Sequence, residues 1–225
     1  MKFYSQQKED IEIYNLYFKN KKIDRGFFIE LGAYDGIRAS NTKFFEDELG
    51  FNGILIEPVR SAYKRLLVNR KNCITYNDVI TTKENVTFVG NDLTAGVKET
   101  MSKSHLVNWS LDKVKGYEVK TNRIDTIMKE NNIKYVDIFS IDVEGGELEV
   151  LKTIDWVVPI WIVLIELTPE KVNISKLNDR VKTAYFERID KDNECREVLR
   201  DNGFSFIKRI GGNDLWVNDK NKRIK

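Results

Sequence analysis

The sequence FFIELGAYDG at residues 27–36 joins an apolar run to a turn that contains two glycines. The apolar run over residues 27–31 predicts a buried strand that breaks at Gly32. Because glycine reaches backbone conformations that other residues avoid and lets a ligand approach the main chain, Gly32 and Gly36 around Asp35 indicate a ligand-binding loop. The loop lacks the third glycine of the GxGxxG fingerprint, which disfavours an NAD-type loop. A strand that ends in a glycine turn also occurs in proteins that bind no ligand there. Features elsewhere in the chain are therefore needed to decide between a ligand-binding loop and an ordinary turn.

Helical and strand-like patterns alternate along the rest of the chain. Apolar residues recur at helical spacing in residues 4–22, 44–49, 63–67, 124–131, 148–151 and 195–199. Strand-like runs occupy residues 53–57, 73–80, 86–89, 117–121, 135–143, 161–167, 204–210 and 215–217. The runs at 135–143 and 161–167 are almost continuously apolar, as in strands that are buried on both faces of a parallel sheet. The alternation predicts the α/β class, with a doubly wound, mostly parallel sheet, helices on both faces and an antiparallel terminal hairpin at one edge.

The length of 225 residues fits a single domain over residues 1–225. We expect a helical lead-in at residues 1–25, an aperiodic loop region at residues 90–116 and a flexible, lysine-rich tail at residues 219–225. Lys and Arg total 37 against 35 Asp and Glu. This balance leaves no large positive surface, so we expect no nucleic-acid partner.

Two features of the sequence indicate the compartment. Cys73 and Cys195 lack CxxC spacing, which argues against a zinc site or a disulfide framework and favours a reducing compartment. The N-terminus lacks the apolar run of a signal peptide, and the most apolar segment, residues 156–167, is too short to span a bilayer. We therefore expect a soluble, cytoplasmic protein without a membrane span.

Polar side chains and glycines collect where the predicted strands end, which is where open α/β sheets bind their ligands. They are Glu30, Gly32, Ala33, Asp35 and Gly36 after the first strand, Glu57 after the second, Asn77 and Asp78 after the third, then Asp142, Glu144 and Glu166. Glu57 is the most informative, because a carboxylate that ends the second strand can accept both hydroxyls of an adenosine ribose. A solvated carboxylate at the end of a strand is the alternative.

Asp142 and Glu144 are two residues apart and would share one face of a continuing strand before a glycine turn. They can act as a general base or, with Glu166, hold a hard cation such as Mg²⁺ through oxygen ligands. One of them can instead cradle the amine of a cofactor without proton chemistry. His105, the only histidine, lies in the loop region and is a further candidate base, although a histidine in a polar segment is more often solvated.

Four motifs carry a resemblance to a known family. They are FIELGAYDG with Ser40-Asn41-Thr42, GILIEP with Asn69-Arg70, Asn77, and SIDVEGGELEVL. Over residues 5–166 the chain resembles the FkbM family of S-adenosylmethionine-dependent methyltransferases, and the most specific part is the run from Asp142 to Glu147. The resemblance implies a seven-stranded, Rossmann-like methyltransferase sheet whose last strand is antiparallel.

The resemblance also implies roles for the site residues. It places Glu30, Gly32 and Gly36 near the methionine part of S-adenosylmethionine. It places Glu57 at the ribose, and Asn77 and Asp78 near the adenine. The predicted cofactor-binding set is completed by Ala33, Asp35, Asn41, Pro58 and Asp142. Characterised family members are mostly O-methyltransferases that act on sugars or natural products. The family pattern does not fix the acceptor, and we expect the loop region at residues 90–116 to select it.

The predicted function is O-methylation of a hydroxyl of a sugar, a glycan or a glycosylated small molecule, with S-adenosylmethionine as methyl donor and S-adenosylhomocysteine as product. Asp142 or Glu144 would accept the hydroxyl proton, with His105 in reserve. Alternatively, Mg²⁺ bound by Asp142, Glu144 and Glu166 would lower the pKa of the hydroxyl. Two other functions stay open. One is a methyltransferase for a peptide, a lipid or an amine, and the other is a non-catalytic cofactor-binding module of a larger glycan-synthesis protein.

Overall fold

The computed structural model describes residues 1–21 and 25–223. The α-helices are α1 (Glu9–Ile13), α2 (Lys43–Leu49), α3 (Arg60–Asn69), α4 (Lys103–Asn108), α5 (Ile124–Glu130), α6 (Glu147–Leu151) and α7 (Asp179–Asp201). The strands are β1 (Phe27–Leu31), β2 (Asn52–Ile56), β3 (Ile74–Tyr76), β4 (Val79–Ile80), β5 (Thr87–Val89), β6 (Gly96–Val97), β7 (Tyr117–Glu118), β8 (Thr121–Asn122), β9 (Val136–Ile141), β10 (Ile160–Glu166), β11 (Ser205–Ile210) and β12 (Asn213–Val217). A π-helical segment, Tyr14–Phe18, continues α1.

Seven strands form the central sheet, in the order β11-β12-β10-β9-β1-β2-β3. The five strands from β10 to β3 pair in parallel, with β1 at their centre. Strand β12 runs antiparallel to both β10 and β11. The predicted mostly parallel, seven-stranded sheet with an antiparallel terminal hairpin is therefore confirmed. The antiparallel strand itself lies one position in from the edge, because the second strand of the hairpin, and not the first, pairs with β10.

Side-chain alternation along the central strands explains why helices cover both faces of the sheet. Phe28 on β1 packs in one cluster with apolar residues of the N-terminal lead-in, α2 and α3. Its neighbours Ile29 and Leu31 pack in the opposite cluster with residues of α5, α6 and α7. Each fully buried side chain of this kind contributes about 1.5–3 kcal/mol. The two cores hold the carboxyl ends of the parallel strands at one rim of the sheet.

Two predicted strands are each divided between sheets. The run at residues 73–80 becomes β3 in the central sheet and β4, which pairs with β8. The break falls at Asn77, whose side-chain amide donates to the backbone carbonyls of Glu57 and Pro58. The run at residues 117–121 is divided in the same way between β7, which pairs with β5, and β8.

Residues 90–116, predicted as an aperiodic loop, contain β6, α4 and a 3₁₀ turn at Leu111–Lys113. The Ser102 hydroxyl accepts a hydrogen bond from His105 N and caps the start of α4. Helix α7 begins at Asp179 and is much longer than the segment around residue 195 that the sequence pattern indicated. It packs against α4 and α6 and so reaches the same rim of the sheet.

The C-terminal segment predicted as a flexible tail is packed on the domain over residues 219–223. Asp219–Asn221 form a 3₁₀ turn, and the Tyr135 hydroxyl donates to the carbonyl of Asn221. The guanidinium of Arg223 forms an ion pair with the buried carboxylate of Asp137. Residues 224–225 of the predicted tail, and residues 22–24 of the predicted lead-in, lie outside the described residues.

Candidate active site

A cavity of about 430 Å³ opens at the carboxyl ends of β1, β2, β9 and β10. One wall is formed by Leu31, Gly32, Tyr34, Ile56, Glu57, Pro58, Val59, Asp78, Val79 and Ile80. The opposite wall is formed by Asp142, Val143, Glu144, Gly146 and Glu166. Residues 92–97 and Trp109 also line it, so the region between β5 and α4 contributes to the cavity. The cavity therefore lies where parallel sheets bind ligands, and it gathers seven of the predicted site residues.

Glu57 directly follows β2 and is the buried carboxylate of the first wall, with 4% of its surface exposed. Its Oε2 atom accepts a hydrogen bond from Tyr34 N (2.8 Å), and its Oε1 atom accepts one from Val59 N (2.7 Å). Burial raises the pKa of Glu57 to about 7, although both N–H groups favour the charged form. A carboxylate has about four acceptor positions. Two of them are used here, which leaves two for donors of a ligand.

Gly32 follows β1 and allows the loop to pass close to β9. Its φ angle is +75°, and a Cβ atom at this position would lie 2.0 Å from the carbonyl oxygen of Asp142. The N–H groups of Gly32 and Ala33 both donate to the carbonyl of Ile56 at 3.1 Å, which ties the loop to β2. A side chain at residue 32 would separate the two walls of the cavity.

Glu30 lies beneath the loop and does not line the cavity. Its carboxylate, 3% exposed, accepts hydrogen bonds from Ser40 Oγ (2.9 Å), Asn41 N (2.7 Å) and Thr42 Oγ1 (2.5 Å). Arg70 Nη1 is 3.8 Å from the same carboxylate and also donates to Ser40 Oγ and to the carbonyl of Gly36. Glu30 and Arg70 thus anchor the loop, and the partners of this carboxylate come from the chain itself.

Other predicted cofactor residues have comparable supporting positions outside the cavity lining, namely Ala33, Asp35, Gly36, Asn41 and Asn77. The Asp35 carboxylate accepts the N–H groups of Ile37 and Arg38 and closes the turn. The side-chain amide of Asn41 donates to Ser140 Oγ on β9. Asp78 does line the cavity, and its carboxylate accepts hydrogen bonds from Lys120 Nζ and Asn122 Nδ2, both at 3.0 Å.

Three carboxylates, Asp142, Glu144 and Glu166, form the acidic side of the cavity. Burial and the charges of neighbouring carboxylates raise the pKa of Asp142 well above its usual value. The same causes raise the pKa of Glu144 to about 8, with Glu166 and Glu147 as the charged neighbours. Asp142 and Glu144 therefore keep their protons to a higher pH than ordinary carboxylates do. Such shifts are common in groups that exchange protons with a substrate.

Arg188 on α7 is the cation that faces this acidic side. Its guanidinium lies 3.7 Å from Glu166 and 3.8 Å from Asp192. Burial disfavours its charge, but the surrounding carboxylates, Glu147 foremost, outweigh that cost and raise the pKa of Arg188. One turn further along α7, Lys191 Nζ donates to the carbonyls of Thr100 and Gly145, both at 2.6 Å. Neither residue was predicted from the sequence, because α7 carries charged residues on most of its surface.

His105 does not line the cavity but contacts a residue that does. Its Nδ1 atom is 3.5 Å from Glu144 Oε2, and its Nε2 atom is 3.0 Å from the carbonyl oxygen of Thr94. The structure thus brings two predicted catalytic residues, His105 and Glu144, together, with the histidine behind the carboxylate.

Three aromatic residues of the cavity wall, Tyr34, Phe88 and Trp109, were not predicted. The Tyr34 N–H donates to Glu57, and its hydroxyl donates to Asp92 Oδ1 (2.8 Å), which links the β1 loop to residues 92–97. Trp109 lines the cavity with 57% of its surface exposed. A tryptophan within a polar segment was a usable signal in the sequence, because an exposed aromatic side chain often marks a binding surface.

The predicted magnesium site is not supported. Within residues 1–21 and 25–223, no three His, Cys, Asp or Glu side chains are grouped so that they could hold a metal ion. Glu166 faces Arg188 and Glu144 faces His105, so these two carboxylates have partners other than a shared metal. In the same ranges no helix is long and apolar enough to cross a membrane.

The chain is similar to known proteins in sequence and in fold. The sequence profile of the family described as "Methyltransferase FkbM domain" matches residues 30–206. A search of curated protein sequences found no significant match. Among solved structures, a Staphylococcus aureus protein provisionally assigned as a caffeoyl-CoA O-methyltransferase is similar, with a TM-score of 0.51 and 9% identity over 96% of this chain and 85% of the other. Methyltransferase FkbM from Methylobacillus flagellatus KT has a TM-score of 0.49 and 13% identity, over 95% of this chain and 48% of the other.

Proposed function

The chain belongs to the FkbM family of methyltransferases, and from this premise we propose that it transfers a methyl group from S-adenosylmethionine to a hydroxyl of a sugar, a glycan or a glycosylated small molecule. The position of Glu57 is the observation that most strongly supports S-adenosylmethionine as the methyl donor. Glu57 is a buried carboxylate at the end of the second parallel strand, it lines the cavity, and two of its acceptor positions are not used by the backbone. Carboxylates in this position of related sheets bind the two hydroxyls of an adenosine ribose.

The first wall fits the remainder of this donor. Gly32 keeps the backbone of the loop free of a side chain where it passes close to the carbonyl of Asp142. Val79, Ile80 and the half-buried Pro58 give an apolar surface for an adenine ring next to the polar Asp78. When bound, S-adenosylmethionine supplies an electrophilic methyl group whose bond to sulfur breaks as the acceptor oxygen bonds to the methyl carbon.

The protein's contribution to this reaction is alignment and proton transfer. Holding the acceptor oxygen in line with the methyl group can lower the barrier by about 7–11 kcal/mol. Asp142 or Glu144, on the opposite wall, accepts the hydroxyl proton, a step that typically contributes about 10²–10⁴-fold. The pKa of Glu144, raised to about 8, suits this role, because a base whose pKa lies near the working pH accepts a proton readily and still releases it.

The acceptor side has the side chains that a sugar requires. Trp109 offers an exposed aromatic face, on which the apolar face of a sugar ring can stack. Asp142, Glu144 and Glu166 are acceptors for sugar hydroxyls. This combination of one aromatic surface and several carboxylates supports a neutral, hydroxyl-rich acceptor.

The experiment is incubation with methyl-labelled S-adenosylmethionine and a panel of mono- and oligosaccharides, followed by mass spectrometry of the products. We expect a label on a sugar oxygen. Calorimetry with S-adenosylhomocysteine tests the donor separately, and no binding there would contradict the proposed function as a whole.

A second candidate acceptor is an amine. Among the described residues, six carboxylates line the cavity and Arg38 supplies a guanidinium, a charge balance that also attracts a cation. A methyl group found on nitrogen after incubation with amino sugars, peptides or aminolipids would favour this candidate over the neutral sugar.

A further inference from the structure

His105 is fixed from two sides in a position behind Glu144. The backbone N–H of His105 donates to Ser102 Oγ (3.1 Å) in the first turn of α4, and the ring Nε2 atom lies 3.0 Å from the carbonyl oxygen of Thr94. The other ring nitrogen, Nδ1, is 3.5 Å from Glu144 Oε2. The imidazole therefore bridges a loop carbonyl and a carboxylate that lines the cavity.

The carbonyl of Thr94 determines the tautomer. A carbonyl oxygen only accepts hydrogen bonds, so the Nε2 atom carries a proton. A neutral imidazole would then turn the lone pair of Nδ1 towards Glu144, and two lone pairs at 3.5 Å repel each other. A second proton on Nδ1, or one on the carboxylate, removes this repulsion. The contact therefore requires a proton on one of the two groups, and a proton on Nδ1 leaves the carboxylate of Glu144 charged.

Charged groups from five structural elements surround Glu144. Besides His105 on α4 they are Asp142 after β9, Glu147 on α6, Glu166 on β10, and Arg188 and Lys191 on α7. The carboxylates favour the protonated form of Glu144, and the guanidinium of Arg188 favours the charged form. A proton on Nδ1 makes the ring a cation 3.5 Å from Oε2, and this charge favours the charged form of Glu144, as the guanidinium of Arg188 does.

We propose that Glu144 is the general base of the methyl transfer and that His105 is its positioning residue, which orients the carboxylate and keeps it charged. This assignment rests on the proposed function. The contact with His105 distinguishes Glu144 from Asp142. Asp142 lines the same cavity but has no histidine contact among the described residues.

The proton path follows from these contacts. As the acceptor oxygen forms its bond to the methyl carbon, the hydroxyl proton passes to the Glu144 oxygen that faces away from His105. The electron pair of the broken carbon–sulfur bond stays on sulfur. The imidazolium keeps its own proton throughout, and Glu144 later releases the acquired proton to solvent through the cavity.

The first test uses the fact that His105 is the only histidine, so ¹⁵N-labelled histidine gives one pair of ring-nitrogen NMR signals. We expect a proton on Nε2 in the wild type, and a change of the Nδ1 signal in Glu144→Gln. Glu187→Gln is the matched control, because Glu187 accepts the N–H of Ser104, next to His105, without contacting the ring. A tautomer with its proton on Nδ1 alone, or equal responses of the two variants, would overturn the pairing.

The second test is the pH dependence of kcat in His105→Gln, with the sugar of the panel that is methylated fastest. Without the imidazolium, Glu144 should hold its proton to higher pH, so we expect about a tenfold loss at pH 7 that recovers towards pH 9. The KM for S-adenosylmethionine should stay unchanged. An equal loss at every pH would mean that His105 is merely structural. If no sugar is methylated, the acceptor class is wrong, whereas the NMR result still decides the pairing.

Discussion

Replacing Glu57 with glutamine should weaken binding of S-adenosylhomocysteine and remove its pH dependence. Glutamine keeps the shape of the side chain and one acceptor oxygen, but its amide nitrogen cannot accept a hydrogen bond. In the wild type each carboxylate oxygen already accepts one backbone N–H, from Tyr34 or Val59. The substitution therefore removes the acceptor for one of the two ribose hydroxyls.

The magnitude follows from the charge and burial of Glu57. A hydrogen bond to a charged group is worth about 1.5–3 kcal/mol, which corresponds to a loss of roughly 10- to 150-fold in affinity at pH 8. The pKa of Glu57 is raised to about 7 by burial. The ribose hydroxyls donate to the charged form of Glu57. The affinity for S-adenosylhomocysteine is therefore highest above that pKa and declines as the pH falls through it. Between pH 8 and pH 6 the wild type should lose about tenfold.

The assay is isothermal titration calorimetry with S-adenosylhomocysteine at pH 6, 7 and 8. The difference in affinity between the wild type and Glu57→Gln should be largest at pH 8 and should become small towards pH 6. Glu130→Gln, an exposed carboxylate at the end of α5, is the matched control and should bind like the wild type. Equal affinities of Glu57→Gln and the wild type at pH 8 would refute the ribose assignment.

Three other substitutions test the framework of the site. Gly32→Ala should prevent stable folding or cost more than about 3 kcal/mol, because its Cβ would meet a backbone carbonyl at 2.0 Å, whereas Gly50→Ala, with a similar φ of +67° but no atom within 4 Å, should cost only about 1–2 kcal/mol in urea unfolding. Glu30→Gln should lower the melting temperature, because it weakens the buried hydrogen bonds that anchor the loop after β1. The Kd for S-adenosylhomocysteine should stay within about twofold of the wild type, because no residue that lines the cavity changes. Arg188→Gln should destabilise the protein by about 3 kcal/mol at pH 8 and by less at pH 5.5, where protonation neutralises Glu144, whose pKa burial and neighbouring carboxylates raise to about 8; equal losses at both pH values would contradict this account.

The central sheet could be predicted from the sequence because its main strands are almost uniformly apolar. β9 and β10 are buried on both faces, so their composition alone indicates a parallel sheet, and the position of Glu57 follows from the end of β2. Helix α7 was mostly missed because few of its residues are buried, which leaves little periodic signal. The six residues of α4, none of them buried, gave no signal beyond the capping Ser102.

The roles of the site residues were harder to predict than their location. A carboxylate at a strand end can bind a ligand or anchor a loop, and the sequence does not distinguish these uses. Glu30 is an anchor because Arg70 and residues 40–42 reach it, and these contacts exist only in the folded chain. Likewise, the pairing of His105 with Glu144 joins α4 to the turn after β9, two segments that are distant in the sequence.

Helix α7 offers a route to altered specificity. Its residues Lys191 and Arg188 contact the glycine turn and the acidic wall, whereas Gly32 and Glu57 lie directly after β1 and β2 in the other wall of the cavity. Near the start of the same helix, Arg180 Nε donates to Asn108 Oδ1 (2.9 Å), next to Trp109, which lines the cavity. Libraries that vary Arg180 and Asn108 together with Trp109 would change which molecules are accepted, while the donor half of the protein would be left intact. Directed evolution of this chain can therefore treat donor binding as a fixed part and acceptor choice as an adjustable one.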